Sequence, residues 1–192
     1  MYRATQDPYC YPGTTILKNR PNLRNQTELD KFEILSTTKR AEEPLPVGRF
    51  DYRHYRAIHR HLFQDVYTWA GRIRTVRIQK GEAMFCYPEY INEKMSALFE
   101  GLLDKNCFRD INSEGFASGA AHFLAELNAI HPFREGNGRV QNIFLRVLAD
   151  QASHPLDFER LNPPDMLAAM IASFWGDEAS LANLILQLMR VR

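Results

Sequence analysis

The feature that most constrains this chain is the segment His131–Arg139, which reads His-Pro-Phe-Arg-Glu-Gly-Asn-Gly-Arg and lies between two apolar repeats. Apolar residues recur at helical steps before it and after it: Phe116, Ala120, Phe123, Leu124, Leu127 and Ile130, then Val140, Ile143, Phe144, Val147 and Leu148. This spacing predicts two amphipathic helices joined by a short polar loop. A loop held between two core helices can position side chains with the accuracy that chemistry requires.

The glycines of this loop predict an anion site. Gly136, Asn137 and Gly138 stand where the second helix begins, and glycine allows positive φ and a close approach of the backbone to a ligand. The first amides of a helix have no acceptor within the helix, and the helix dipole is positive there. A phosphate is the simplest anion for such a position. Arg139 is expected to pair with the same anion.

Two titratable residues accompany the anion site. Glu135, an acid beside a phosphate site, suggests a divalent metal that bridges to the phosphate. His131 can exchange a proton near neutral pH. The alternative interpretation is a helix–loop–helix with a capping Asn-Gly pair and a buried histidine.

The segment resembles the signature of Fic-domain proteins, His-x-Phe-x-(Asp/Glu)-Gly-Asn-Gly-Arg-x-x-Arg. Every fixed position matches except the last, where this chain has Asn142. Shorter strings resemble the opening of Fic toxins and effectors and the Fic core helix: Asp7-Pro8-Tyr9, Tyr11-Pro12-Gly13, Ile58-His59 and Trp69-Ala70-Gly71.

The resemblance implies an all-α, mostly helical fold with a small β-hairpin, the flap, at about 74–87. The residues agree, since β-formers flank Gly81 on both sides. We expect one domain over 1–192: a lead-in, helix and loop at 1–50, the core with flap and loop at 51–150, and C-terminal helices at 151–192.

Local patterns predict the other helices. Helices are expected over Asp51–Trp69, Glu89–Leu103, 163–175 and Leu181–Met189. The inward stripe of the helix at 163–175 is expected to be Leu167, Met170, Ile171 and Phe174. A helix that is capped by Asn25 or Thr27 and runs through Leu29, Phe32, Ile34 and Leu35 is also predicted. The histidines His54, His59 and His61 lie in the helix 51–69, and we expect packing or solvent-facing roles for them rather than metal binding.

The resemblance further implies transfer of AMP from ATP to a Tyr, Thr or Ser hydroxyl of a target protein. His131 would take the hydroxyl proton and Glu135 would hold Mg²⁺. Phosphate binding would involve the amides of Gly136–Gly138, the Asn137 side chain and Arg139. Lys80, Gly81 and Asn142 complete the residues expected around the nucleotide. Phe133 is expected to anchor the loop in the core, and Arg134 to face solvent.

A protein substrate is expected to dock at the flap by strand pairing. Many Fic proteins carry an inhibitory helix with the pattern (Ser/Thr)-x-x-x-Glu-(Gly/Asn). The segment Ser96–Gly101 matches it, but lies within a core helix, so we interpret the match as chance. A small separate antitoxin that supplies the inhibitory Glu is therefore a candidate partner, and the protein is expected to be a bacterial toxin or a host-directed effector.

Asn142 leaves other functions open. The family's second arginine contacts the γ-phosphate, so its loss allows a catalytically impaired module that binds nucleotide and a target peptide. Another nucleotidyl or phosphoryl transfer is a further alternative, although Gly138 argues against the orientation used for phosphorylation.

Composition narrows the partners. A net charge of +1 argues against nucleic acid or a membrane surface as a partner. The three cysteines show no metal-ligand spacing and indicate reduced thiols. The expected location is the bacterial cytoplasm, or the host cytosol if the protein is an effector.

Overall fold

Apolar residues from helices along the whole chain pack into one core in a computed structural model that describes residues 7–189. This part of the chain contains seven α-helices: α1 (Gln26–Glu42), α2 (Tyr52–Phe63), α3 (Ile91–Asp104), α4 (Ser113–Ile130), α5 (Asn137–Gln151), α6 (Pro163–Phe174) and α7 (Ala179–Leu188). The mostly helical fold with one small hairpin confirms the predicted fold class. None of the helices in residues 7–189 is long and apolar enough to cross a membrane.

Helices α4 and α5 lie on either side of the polar loop that contains His131 and Glu135. Helix α4 begins after Asn112, whose side chain accepts a 2.9 Å hydrogen bond from the Gly115 amide. It ends at Ile130, and the capping residue His131 has the left-handed φ of 49°. Helix α5 begins after Gly136, at φ 84°. Two left-handed residues thus turn the chain sharply from one core helix into the next.

Two helix boundaries differ from the sequence prediction. Helix α1 is capped by Asn25 as expected but continues to Glu42. Helix α2 ends at Phe63 and not at Trp69; the Phe63 carbonyl accepts hydrogen bonds from the amides of Val66 and Tyr67 in the turn that follows. The residues after Phe63 therefore form successive turns up to Gly71.

The predicted hairpin is present but short. Strands β1 (Gln79–Lys80) and β2 (Ala83–Met84) pair antiparallel, with Gln79 opposite Met84 and Lys80 opposite Ala83. Gly81 takes φ 58° at the turn, a conformation that glycine adopts without strain. Ile78 and Phe85 flank the two strands and are buried, so they fix the base of the flap while its tip stays exposed.

Helix α6 presents a different face to the core than predicted. Its buried residues are Met166, Ala169, Met170 and Ser173. Leu167 and Ile171, which were expected to point inward, are 51% and 52% exposed. The prediction was wrong because these two residues line a cavity in front of the loop rather than the core.

Candidate active site

The loop, the flap and α6 surround a cavity of about 760 Å³. We call residues 131–139 the signature loop. Its contribution to the lining is His131, Glu135, Gly136, Asn137, Gly138 and Arg139. The flap contributes Lys80–Ala83, and α6 contributes an apolar wall that includes Met166, Met170 and Phe174. The loop and the flap therefore give the cavity a polar lining of mixed charge, and α6 gives it an apolar one.

His131 is held from two sides at the mouth of the loop. Its Nδ1 lies 3.1 Å from the Asn128 carbonyl oxygen, and its ring stacks on Phe85 with the ring centroids 3.9 Å apart. A carbonyl can only accept, so Nδ1 carries the proton and the basic lone pair is on Nε2. Burial, aided by the charges of Arg74 and Lys80, lowers the pKa of His131 to about 3. The imidazole is thus neutral near pH 7.

Glu135 faces the same cavity from the other end of the loop. One of its carboxylate oxygens accepts a 2.8 Å hydrogen bond from the Gly136 amide. Burial and the nearby charge of Glu33 raise the pKa of Glu135. A carboxylate in such surroundings is stabilised by a cation. Within residues 7–189 no group of three or more His, Cys, Asp or Glu side chains is placed to hold a metal.

The two glycines of the loop have different surroundings. A Cβ on Gly136 would lie 2.3 Å from the ring of Phe63, so the loop packs directly on α2 at this point. A Cβ on Gly138 would meet nothing within 4 Å. The amides of the first turn of α5 therefore border open space, which is the arrangement that an anion site requires.

The Asn137 side chain bonds to the backbone of its own loop, whereas it was predicted to contact phosphate. It is buried, with 2% of the residue exposed. Its carbonyl oxygen accepts a 3.0 Å hydrogen bond from the Phe133 amide, and its amide nitrogen donates a 2.9 Å hydrogen bond to the Phe133 carbonyl. Asn137 therefore fixes the shape of the loop, and only its main chain belongs to the open turn.

Arg139 is bound to an acid that the sequence did not reveal. Its guanidinium donates a hydrogen bond to Glu33 of α1 and lies 4.7 Å from the ring centroid of Phe63. Glu33 also accepts a hydrogen bond from Tyr67 and is nearly buried. The Arg139 side chain remains partly exposed and lines the cavity. A phosphate would compete with Glu33 for this arginine or share it.

Arg134 does not face solvent, and this expectation was wrong. Its side chain is 5% exposed and donates a 2.6 Å hydrogen bond to Asp7, whose side chain is 6% exposed. Arg134, at a variable position of the signature, thus connects the lead-in segment to the loop through this ion pair. Sequence spacing could not reveal the pair because 127 positions separate its members.

Arg74 joins the flap to the start of the signature loop, a role that was not predicted from the sequence. It is 1% exposed and donates hydrogen bonds to four main-chain carbonyls. Two of them, at Ile130 and His131, lie at the end of α4, and two, at Val76 and Cys86, lie in the flap on either side of its two strands. The flap and His131 are therefore held by one buried cation.

The remaining predicted residues also line the cavity. Lys80 and Gly81 reach it from the flap tip, and Asn142 reaches it from the second turn of α5. Arg146, one turn further on, does not line it. Gln141 was not predicted: it lines the cavity with 2% of the residue exposed, and its side-chain nitrogen has no hydrogen-bond partner within residues 7–189.

The helix histidines and the inhibitory-type pattern lie elsewhere. His54 and His61 contact the main-chain carbonyls of Pro46 and Arg40 at 2.8 and 2.7 Å, which agrees with a packing role. Glu100, the glutamate of the pattern at Ser96–Gly101, is exposed on α3 and does not line the cavity.

A family model described as Fic/DOC matches residues 49–149, a stretch that includes the flap and the signature loop. The chain belongs to the Fic/DOC family. Among proteins with similar sequences is the probable protein adenylyltransferase y4lH of Sinorhizobium fredii. It is 54% identical over 182 residues, which cover 94% of this chain and 95% of that protein.

Solved Fic structures share the fold. The N-terminal Fic domain of the VirB-translocated effector Bep8 from a Bartonella species has a TM-score of 0.88 at 26% identity, covering 95% of this chain and 94% of that chain. The effector BepC of Bartonella tribocorum, solved with bound AMPPNP, has a TM-score of 0.85 at 28% identity, covering 96% of this chain and 97% of that chain.

Proposed function

We propose that this Fic protein is a protein adenylyltransferase that transfers AMP from ATP to a hydroxyl side chain of a target protein. The observation that carries the proposal is that His131 and Glu135 face one cavity across the open first turn of α5. The 54% identical relative y4lH is named a probable protein adenylyltransferase. The neighbour BepC holds AMPPNP, an ATP analogue.

In this proposal His131 is the general base. Its neutral imidazole accepts the proton of the target hydroxyl at Nε2 as the hydroxyl oxygen attacks the α-phosphorus of ATP. The bond between the α-phosphorus and the pyrophosphate oxygen breaks, and pyrophosphate leaves. The hydrogen bond from Nδ1 to Asn128 and the stacking on Phe85 keep the ring in one orientation for this step. A positioned base contributes roughly 10²–10⁴-fold to a rate.

The phosphates of ATP would lie against the first turn of α5. The amides at 137–139 lack acceptors within the helix and can donate to phosphate oxygens. Gly138 leaves room for the phosphates because a side chain at this position would project into open space. Arg139 would add a charge-assisted contact, either beside Glu33 or after its release from Glu33.

Mg²⁺ is proposed to bind at Glu135. Mg²⁺ commonly uses one or two protein carboxylates together with substrate phosphates and water. A single carboxylate that is about one-third exposed, and whose pKa is raised by burial and by the charge of Glu33, fits such a shared site. The bound metal would neutralise charge on the phosphates. Glu135 itself is kept in place by the hydrogen bond from the Gly136 amide.

The target protein is proposed to dock at the flap. Strands β1 and β2 are two residues long, and each has an outer edge whose main-chain groups can pair with an extended segment. Main-chain pairing positions a hydroxyl beside His131 with little dependence on sequence. Because Arg74 ties the flap to the end of α4, the docked segment and the base keep a fixed separation.

A second candidate function is binding without turnover, and one observation favours it. Asn142 stands at the position of the family's second arginine, and Arg139 is already bound to Glu33. Both features lower the expected affinity for the triphosphate of ATP. The protein would then bind nucleotide and a target segment without transferring a group.

Labelled ATP separates these functions. The protein is incubated with lysates of bacteria and of animal cells and with ATP labelled at the α- or the γ-phosphate, with and without Mg²⁺. Adenylyl transfer predicts Mg²⁺-dependent protein label from α-labelled ATP alone. Label from γ-labelled ATP would indicate phosphorylation, and retention of partner without label would indicate a binding module. The lysate that supplies the labelled protein distinguishes a toxin of the bacterial cytoplasm, paired with an antitoxin, from a host-directed effector.

A further inference from the structure

A second concave surface, with a volume of about 810 Å³, lies beside α2 and the turns that follow it. We call it the arginine pocket. It shares no lining residue with the cavity at the signature loop. Five arginines line it: Arg20, Arg53, Arg56, Arg60 and Arg72. The whole chain has a net charge of only +1, so this concentration of positive charge is a local feature and not a general property of the surface.

The positive charge of the pocket is not neutralised by the protein. The one acidic residue in its lining is Asp65, and Arg40 already donates two hydrogen bonds to Asp65, at 2.6 and 2.9 Å. None of the five pocket arginines forms an ion pair with an acid in residues 7–189. Five guanidinium groups around one hollow repel each other, so an anion in the hollow would be stabilised.

The backbone turn at Gly71 brings three of these arginines together. Arg56 donates a 2.9 Å hydrogen bond from Nε to the Gly71 carbonyl. Gly71 has φ 75°, and a Cβ on it would lie 2.8 Å from the Cβ of Arg60, so the turn packs directly on the stem of that arginine. Arg72 follows in the chain. Part of the pocket is therefore preorganised by close packing before any ligand binds.

We propose that the arginine pocket binds a compact anion that carries several phosphate groups. The guanidinium fork matches the geometry of phosphate oxygens and donates two parallel hydrogen bonds. The hollow shape suits a small ligand better than an extended one. Tyr67, the one aromatic residue in the lining, is 2% exposed and offers no face for stacking a base. Recognition therefore depends on charge and not on a nucleobase.

The test is titration calorimetry with sodium tripolyphosphate at fixed ionic strength. Three proteins are compared with the wild type. Arg53→Gln/Arg72→Gln removes two exposed pocket arginines, and neither side chain has a hydrogen bond that would be lost. Arg49→Gln/Arg160→Gln removes the same charge from exposed positions outside the pocket. Arg139→Ala weakens any phosphate binding at the signature loop. Thermal melting of each variant verifies that it is folded.

We expect the pocket variant to bind tripolyphosphate at least about tenfold more weakly than wild type, as loss of arginine–phosphate contacts predicts. The charge-matched control and Arg139→Ala should bind tripolyphosphate at the arginine pocket with an affinity within about twofold of wild type. Equal weakening in the charge-matched control would overturn the proposal, since the effect would then be one of net charge. Loss confined to Arg139→Ala would also overturn it, since the anion would then bind at the signature loop.

Two further probes separate the sources of phosphate. Duplex DNA and vesicles containing phosphatidylinositol bisphosphate are titrated into the same proteins. Tripolyphosphate binding that depends on Arg53 and Arg72, with weaker binding of both macromolecular probes, supports a compact ligand. Tighter binding of DNA or vesicles through the same two arginines would overturn the assignment to a small anion.

Discussion

His59 connects α2 to the signature loop through the main chain of Glu135. Its Nε2 lies 3.0 Å from the Glu135 carbonyl oxygen, and its Nδ1 accepts a 2.8 Å hydrogen bond from the Gly71 amide. The ring is stacked on Phe133, with the ring centroids 3.7 Å apart. Burial lowers the pKa of His59 to about 3, so both bonds are made by a neutral imidazole. A residue that was expected to pack or to face solvent therefore fixes the backbone that carries the proposed metal ligand.

Replacing His59 tests this connection. His59→Phe keeps an aromatic ring but leaves the Gly71 amide and the Glu135 carbonyl without partners, and each unsatisfied buried group costs about 1–3 kcal/mol. We expect a clear fall in the free energy of unfolding, measured by urea denaturation, and slower transfer at a temperature where the variant is folded. His54→Phe is the control, because His54 contacts Pro46 outside the loop. If His59→Phe and His54→Phe transferred AMP equally fast, the positioning role of His59 would be refuted.

The two glycines of the loop offer a matched pair of substitutions. Gly136→Ala forces a side chain into the left-handed region and against Phe63, and such backbone strain alone costs about 1–3 kcal/mol. Gly138→Ala adds a methyl group that meets no protein atom within 4 Å but faces the cavity. We expect Gly136→Ala to lower the melting temperature, and Gly138→Ala to keep it while weakening ATP binding in calorimetry. Unchanged ATP affinity in Gly138→Ala would contradict phosphate binding at this turn.

Restoring the family arginine tests the meaning of Asn142. A charge-assisted bond to phosphate is worth about 1.5–3 kcal/mol, which corresponds to roughly 10- to 100-fold in affinity. We therefore expect Asn142→Arg to bind ATP more tightly by about this factor and to bind AMP with unchanged affinity, because AMP has no γ-phosphate. Asn142→Gln, which adds length without charge, is the control. Equal ATP affinity in all three proteins would mean that the triphosphate does not reach Asn142.

The buried histidines predict how stability depends on pH. The pKa values of His59 and His131 are lowered from 6.5 to about 3 in the folded protein. The unfolded chain therefore binds more protons below pH 6.5, and the stabilisation present above that pH is lost as the pH falls toward 3. We expect the free energy of unfolding to decrease between pH 6.5 and 5, and to decrease less steeply in His59→Phe. A flat profile in wild type would show that these histidines are not held neutral.

Local patterns in the sequence were enough to predict the helices, the hairpin and the signature loop. The repeats on both sides of the loop and the turn at Gly81 each depend on residues close together in the chain. The resemblance then assigned roles to residues of the loop, of which His131, Glu135 and Gly138 face the cavity as expected. The Asn137 side chain does not, because an asparagine can satisfy the backbone of its own loop as readily as a ligand.

The residues that support the loop could not be predicted in the same way. Arg74, His59 and Glu33 reach the loop from other parts of the chain, and their partners depend on how the helices pack. Arg134 illustrates the difficulty. A cation at a variable position is usually solvent-exposed, yet Arg134 is buried and forms an ion pair with Asp7. Such long-range pairs leave no periodic signal in a single sequence.

We propose that His131 is the base that accepts the hydroxyl proton when AMP is transferred from ATP bound at the signature loop. The most direct measurement compares wild type with His131→Ala in two assays on the same samples. One follows transfer of label from α-labelled ATP to a target protein, and the other measures ATP binding by calorimetry. If His131 is this base, His131→Ala will bind ATP within about twofold of wild type while transfer falls by roughly 10²–10⁴-fold. Transfer by His131→Ala at the wild-type rate, with ATP bound equally well, would contradict it.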